Sequence, residues 1–133
     1  MGAPKKIVGV IFSDLGHAAS FMSLDWVQQV LRERLGFSPY PATLNLRLES
    51  KEDMEIWQQT QKEAKGIDIS PPDASFCQAL CFPVEIERRY KGAVLLPQVK
   101  DYPKDKIEVI APVRLKEALK VRDGERITLE FIE

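Results

Sequence analysis

The succession of short β-forming runs constrains the fold of this 133-residue chain more than any other feature. Stretches rich in Val, Ile, Leu and aromatic residues recur between Pro, Gly and Asp turn signals, and they are of strand length. The clearest runs are KIVGVIF at 6–12, the stretch 43–49, FCQALCFPVEIERRY, GAVLLPQV, KIEVIAP and ERITLEFIE. Many short strands with few helices indicate a mainly β fold, a β-barrel that carries helical inserts, in a single domain over residues 1–133.

Three stretches between these runs predict helices. In SLDWVQQVLRERLGF, Ser23 or Asp25 can serve as the N-cap, and Gly36 is a natural stop. In SKEDMEIWQQTQKEAKG, Ser50 can cap a second helix whose apolar face is thin, so we expect it to lie on the surface. The stretch VRLKEALK predicts a third, short helix. We interpret FMSL as a further short strand and IDISPPDAS as a loop.

Composition and charge exclude several partner classes. The 19 Lys and Arg residues nearly balance the 20 Asp and Glu residues, so no global field draws the chain to nucleic acid or to an anionic membrane. No apolar run approaches the roughly 18 to 20 residues of a membrane span, and the N-terminus does not resemble a signal peptide. We expect a cytoplasmic monomer that binds neither nucleic acid nor membrane.

The two cysteines, Cys77 and Cys81, lie four residues apart in one predicted strand. At a rise of about 3.3 Å per residue they would be roughly 13 Å apart, too far for a disulfide. With one His in the chain, a zinc site is not supported. We interpret both cysteines as small buried apolar residues.

The stretch PYPATLNLRL combines a stiff turn with an alternating strand. Three leucines would occupy one face, whereas Thr43 and Asn45 would share the other because strand residues at i and i+2 point the same way. This arrangement has two interpretations. The pair is either ordinary polar decoration of a strand or a site at which two oxygen ligands stand side by side.

Two longer segments resemble the archaeal-type riboflavin kinases, which use CTP. These are LGFSPYPATLNLRL and KIEVIAPVRLKEALKVRDGERITLE, and KGAVLLP fits the strand before the second. The resemblance extends over nearly the whole chain, with weak matching only in about 50–75. It implies a six-stranded cradle-loop β-barrel with two or three helical inserts. It also implies transfer of the γ-phosphate of CTP to the 5′-hydroxyl of riboflavin, which gives FMN.

The resemblance also implies roles for individual residues. Thr43 and Asn45 would hold Mg²⁺, an ion that takes oxygen ligands and keeps room for phosphate and water. Glu108 would contact the flavin, accepting a hydrogen bond from its hydroxyl or acting as general base. Lys100 stands where the family tends to have a flavin-touching Thr. The nucleotide would bind Val113, Arg114, Leu115 and Lys116, where cations and helix N-terminal amides suit phosphate.

The family's glycine loop, close to Ser-Gly-Leu-Gly-Glu-Gly, corresponds here to SDLGHAAS. The residues expected to contact the nucleotide are Asp14, Leu15, Gly16, His17, Ala18 and Ala19. Asp14 and Ala18 replace glycines, which limits the conformations that bring backbone amides close to phosphates. His17, in place of Glu, could donate to a phosphate or be solvated. The sequence therefore leaves two interpretations, a working kinase and a catalytically impaired homologue that serves as a flavin- or nucleotide-binding module.

Overall fold

The computed structural model describes residues 5–13, 22–69 and 79–132. Its strands are β1 (Lys6–Ile11), β2 (Leu44–Arg47), β3 (Ile67–Ile69), β4 (Ala79–Ile86), β5 (Tyr90–Pro97), β6 (Lys106–Ile110) and β7 (Arg126–Phe131). Its helices are α1 (Asp25–Leu35), α2 (Lys51–Glu63) and α3 (Leu115–Ala118). None of these helices is long and apolar enough to cross a membrane.

Six antiparallel strands close into a barrel. The hydrogen-bonded order is β4, β5, β6, β2, β1 and β7, and a further pairing of β7 with β4 completes the ring. The two ends of β4 have different partners, because Val84–Ile86 pair with β7 whereas Ala79–Cys81 pair with the short strand β3. The mainly β fold, the six-stranded barrel and the helical inserts, of which the described residues contain three, are therefore confirmed.

The barrel interior is filled by alternate strand residues, as the leucines of PYPATLNLRL predicted. Leu44, Leu46 and Leu48 all lie in this inner core. Helix α2 covers it with Trp57, which is 1% exposed and packs against Phe82 at a ring-centroid distance of 5.2 Å. The expectation that α2 lies on the surface is therefore wrong at this position, because one large aromatic side chain anchors a helix whose apolar face is otherwise thin.

A second core lies outside the barrel, between α1 and the faces of β3 to β6. Val27 and Leu31 of the helix pack there with Met22 and strand residues, among them the buried Cys81. Burial raises the pKa of the Cys81 thiol to about 12, because a low-dielectric environment disfavours the thiolate. The prediction of a small buried apolar role is confirmed for Cys81, whereas Cys77 lies outside the described residues.

Several local predictions on the helices meet different outcomes. Ser50 is the N-cap of α2 and accepts a hydrogen bond from the Asp53 amide at 3.0 Å, and Gly36 ends α1 with a φ of 82°. The N-cap of α1 is Leu24, so the expectation that Ser23 or Asp25 caps it is wrong.

Two loop and strand assignments also differ from the structure. The segment FMSL is not a strand in its described part, because Met22 is buried in the second core and its carbonyl accepts from the Gln28 side chain at 2.7 Å. Residues 67–69 of the expected loop instead form β3, whose pairing comes from β4 rather than from a local pattern.

Candidate active site

Thr43, Asn45 and Glu108 meet on the outer face of the barrel. Asn45 of β2 lies directly opposite Glu108 of β6, and paired residues in neighbouring strands project their side chains to the same face. Their neighbours along the strands, such as Leu44 and Val109, point inward. Thr43 directly precedes β2, and its hydroxyl donates to Oε1 of Glu108 at 3.3 Å. Thr43, Asn45 and Glu108 thus form one cluster at the junction of β2 and β6.

The side-chain carbonyl oxygen of Asn45 is buried and has no hydrogen-bond partner among the described residues. A buried acceptor without a partner is costly, so its retention requires an explanation, and a bound cation or donor would satisfy it. The described part of the chain contains no group of three or more His, Cys, Asp or Glu side chains that could hold a metal ion. A hydroxyl and an amide oxygen are nevertheless ligand types that a cation such as Mg²⁺ accepts, with its remaining ligands taken from water and phosphate.

Glu108 is a buried carboxylate with a donor on each oxygen. Only 6% of the residue is exposed, and its neighbours along the strand, Ile107 and Val109, are apolar. Oε1 accepts from Thr43, and Oε2 accepts a short hydrogen bond from the Tyr102 hydroxyl. Tyr102 belongs to the connection 98–105 between β5 and β6. The sequence offered no periodic signal for Tyr102, only its position two residues after Lys100.

An open cleft of about 170 Å³ begins at Thr43 and extends along the end of the barrel. It brings Thr43 together with the predicted nucleotide segment, which in sequence lies far away. The lining residues are Tyr40, Ala42, Thr43, Leu44, Val109, Ala111, Val113, Arg114, Leu115 and Lys116. Tyr40, which sequence reasoning did not single out, is 39% exposed, and its backbone amide bonds to the Ala111 carbonyl at 2.7 Å. The rigid SPYP turn was the only feature of the sequence that pointed to Tyr40.

The cations of the cleft are paired with carboxylates in this structure. A guanidinium nitrogen of Arg114 lies 2.5 Å from Glu117, and Lys116 Nζ lies 2.9 Å from Oδ1 of Asp123. Oδ2 of Asp123 also accepts from the Ser13 hydroxyl. The hydrogen bonds from Ser13 and then from Lys116 hold the pKa of the Asp123 carboxyl below its usual range. Helix α3 has only four residues, so local cations contribute more here than a helix dipole.

The expected glycine-loop contacts, Asp14, Leu15, Gly16, His17, Ala18 and Ala19, lie outside the described residues. The chain nevertheless enters this segment beside the cluster, because the Phe12 amide donates to the Asn45 carbonyl at 3.1 Å. Lys100 is exposed and does not line the cleft. It shares the connection 98–105 with Tyr102, which does reach the cluster.

The cluster lies between the cleft and the connection 98–105. Along paired strands β2 and β6, the cleft lies beyond Leu44 and Val109, whereas the connection 98–105 leads into β6 at Lys106, opposite Arg47. Asn45 and Glu108 stand between them. Such an order suits a reaction between two ligands that approach a central group from opposite sides.

Comparison with known proteins identifies the family to which the chain is similar. The family model for CTP-dependent riboflavin kinases, described as domain of unknown function DUF120, matches residues 11–131. A riboflavin kinase of Archaeoglobus fulgidus is 38% identical over 130 residues, which are 96% of this chain and 54% of that protein. One of Aeropyrum pernix is 34% identical over 128 residues, 94% of either chain. One of Pyrobaculum islandicum is 34% identical over 129 residues, 95% of this chain and 60% of that protein. The chain thus spans little more than half of some relatives and nearly all of another.

Proposed function

Because the chain belongs to the family of CTP-dependent riboflavin kinases, we propose that it transfers the γ-phosphate of CTP to the 5′-hydroxyl of riboflavin. The products are FMN and CDP. The observation that carries the proposal is the unpartnered, buried oxygen of Asn45, set beside Thr43 and Glu108 between the cleft and the connection 98–105. The riboflavin kinases at 32–38% identity support the same activity.

The nucleotide occupies the cleft in this proposal, and the family resemblance adds contacts from residues 14–19. Lys116 and Arg114 face the phosphates, exchanging or sharing their present carboxylate partners. Val113 and Leu115 also contribute contacts from the lining of the cleft. The cleft is too small to enclose a whole nucleoside triphosphate, so the triphosphate extends from it toward Asn45.

Thr43 and Asn45 would hold the magnesium ion of the reaction, which would neutralise charge on the transferring phosphoryl group. The Thr43 hydroxyl can offer a lone pair to a cation while it still donates its hydrogen bond to Oε1 of Glu108, because a hydroxyl has one donor and two acceptor sites. The side-chain carbonyl oxygen of Asn45 has no competing partner among the described residues. These oxygens leave most of the coordination shell to water and phosphate.

Glu108 acts on the acceptor hydroxyl. It orients the 5′-hydroxyl of riboflavin and takes its proton as the new oxygen–phosphorus bond forms and the bond from the γ-phosphorus to the departing CDP oxygen breaks. Riboflavin approaches from the side of the connection 98–105, which carries Lys100 at the position of the family's flavin contact. The buried position of Glu108 limits competition from water.

The impaired homologue stays the alternative, since it rests on the glycine replacements at Asp14 and Ala18. The Thr, Asn and Glu side chains expected at the reacting centre are all present and clustered, which favours the kinase. We also propose that the protein works as a cytoplasmic monomer without nucleic-acid or membrane partners, and its net charge of −1 supports the absence of those two partner classes.

The deciding experiment incubates the pure full chain with riboflavin, MgCl₂ and each nucleoside triphosphate in turn, and quantifies FMN chromatographically. We expect FMN with CTP, a rate of FMN formation about 10²- to 10⁴-fold lower but still measurable in Glu108→Gln, and a loss of activity in the double variant Thr43→Ala/Asn45→Ala. Gln59→Ala, which removes a surface amide from α2, is the matched control and should keep full activity. If no donor gives FMN but riboflavin or CTP binds by calorimetry, the binding module is the correct function.

A further inference from the structure

The carboxylate of Glu108 is held asymmetrically. Its Oε1 receives a long hydrogen bond of 3.3 Å from Thr43, whereas its Oε2 receives a short one from the Tyr102 hydroxyl. A distance of 3.3 Å lies beyond the usual range of about 2.5–3.0 Å for O–H···O hydrogen bonds, so the bond from Thr43 is the weaker of the two. Tyr102 therefore fixes the plane of the carboxylate and leaves Oε1, on the Thr43 side, as the oxygen with the more easily replaced donor.

Tyr102 is itself held in place by its surroundings. Asp101 adopts a φ of 62°, a left-handed conformation that turns the chain between exposed Lys100 and half-buried Tyr102. The Lys106 ammonium lies 5.6 Å from the centre of the Tyr102 ring, within range of a cation–π interaction. The Lys106 amide also bonds to the Pro103 carbonyl at 3.3 Å, which closes the turn onto β6.

We propose that Tyr102 is a positioning residue that aims Oε1 of Glu108 at the hydroxyl to be phosphorylated. The inference rests on the proposed function and assigns a role to a residue that no sequence pattern indicated. Tyr102 touches neither phosphate nor metal in this mechanism, because its hydroxyl is engaged with Oε2. Its effect is on the orientation of the base, and so on the chemical step rather than on binding.

The test is the variant Tyr102→Phe in the full chain, with steady-state kinetics of FMN formation. We expect kcat to fall by about ten- to hundredfold, the range found when groups that orient a catalytic or metal-bound side chain are removed. The KM values for CTP and riboflavin should stay within about threefold of wild type. Tyr90→Phe, which removes a phenol hydroxyl at the start of β5, is the matched control and should leave both parameters unchanged.

A double-mutant cycle separates positioning from a general structural effect. If Tyr102 acts through Glu108, then Tyr102→Phe should cause no further loss of kcat in the Glu108→Gln background. A full additional loss there, or a kcat for Tyr102→Phe within twofold of wild type, would overturn the inference while leaving the kinase function intact. Wild-type protein that makes no FMN with any nucleotide would overturn both.

Discussion

Replacing Asn45 by Ala should affect the ligand-free and the ligand-bound protein in opposite directions. Its side-chain oxygen is buried without a partner among the described residues. A buried unsatisfied acceptor costs about 1–3 kcal/mol, and Ala removes it together with a few packing contacts. The net expectation is that the free energy of unfolding of the ligand-free protein rises by about 1 kcal/mol. For a domain of this size, that corresponds to a melting temperature higher by roughly 3–5 °C.

The ligand-bound protein should show the reverse. A ligand at one hundred times its Kd stabilises the folded state by about 2.7 kcal/mol. With Mg²⁺ and CTP the wild type gains this stabilisation, whereas Asn45→Ala loses a metal ligand and gains little. The variant is thus expected to be the more stable protein in buffer and the less stable one with MgCl₂ and CTP. Such a crossing is typical of a residue whose polar group serves binding rather than folding.

Two measurements test the expected stability changes of Asn45→Ala. Thermal unfolding by circular dichroism, with and without MgCl₂ and CTP, gives the two stability differences. Asn45 is also the only Asn in the chain, so selective ¹⁵N labelling of asparagine gives a single pair of side-chain NH₂ cross-peaks in an NMR spectrum. These cross-peaks should shift when MgCl₂ is added in the presence of CTP, and much less when CTP is added with EDTA.

The reasoning would be refuted by a ligand-free Asn45→Ala protein that is destabilised by 1 kcal/mol or more, since Asn45 would then be a structural residue. A variant that keeps the full stabilisation by MgCl₂ and CTP would refute the metal assignment on its own. Gln59→Ala, an amide removal on the exposed side of α2, controls for effects of side-chain truncation and should change neither difference.

Three further predictions concern stability and reactivity. Gly92→Ala should destabilise the fold by about 1–3 kcal/mol in urea titrations, because the added Cβ would lie 2.3 Å from the Ile110 carbonyl oxygen, and an unchanged midpoint would contradict this. In a Cys77→Ala background, iodoacetamide at pH 8 should alkylate Cys81 only after denaturation, as measured by intact mass, because burial raises the pKa of that thiol to about 12. Because folding lowers the pKa of Asp123, its contribution to stability is complete above the ordinary Asp pKa and is lost as pH falls through the lower pKa of the folded state. The difference in melting temperature between wild type and Asp123→Asn should therefore shrink over that acidic range. A difference that grew as pH fell would contradict this prediction.

Strand alternation was sufficient to predict that Thr43 and Asn45 share a face, because period-two geometry is local, and Leu44, Leu46 and Leu48 of the opposite face lie in the core. The assignment of the pair to a site came from the resemblance to a family. The pairing of Asn45 with Glu108 could not be derived from alternation, because the register between β2 and β6 depends on the closure of the whole barrel.

Other features were missed because they depend on single side chains or on distant partners. Trp57 anchors α2 in the core, although an apolar face with few members predicts an exposed helix. Strand β3 exists through its pairing with β4, and tertiary pairing overrides weak local propensity. Tyr102 stands in a polar connection, where no periodicity distinguishes a residue that reaches a buried carboxylate from one that faces solvent.

The pairing of β7 with both β1 and β4 has a consequence for how the chain reaches its native state. Ile7 of the first strand lies opposite Leu129 of the last, so closure of the ring requires contacts between segments separated by nearly the whole chain. Contacts of such long sequence separation slow folding. Until β7 docks, β1 and β4 each present an open edge that a β7 segment from another molecule could occupy. Refolding at high concentration should therefore favour strand-exchanged oligomers, whereas dilute refolding should favour closed barrels.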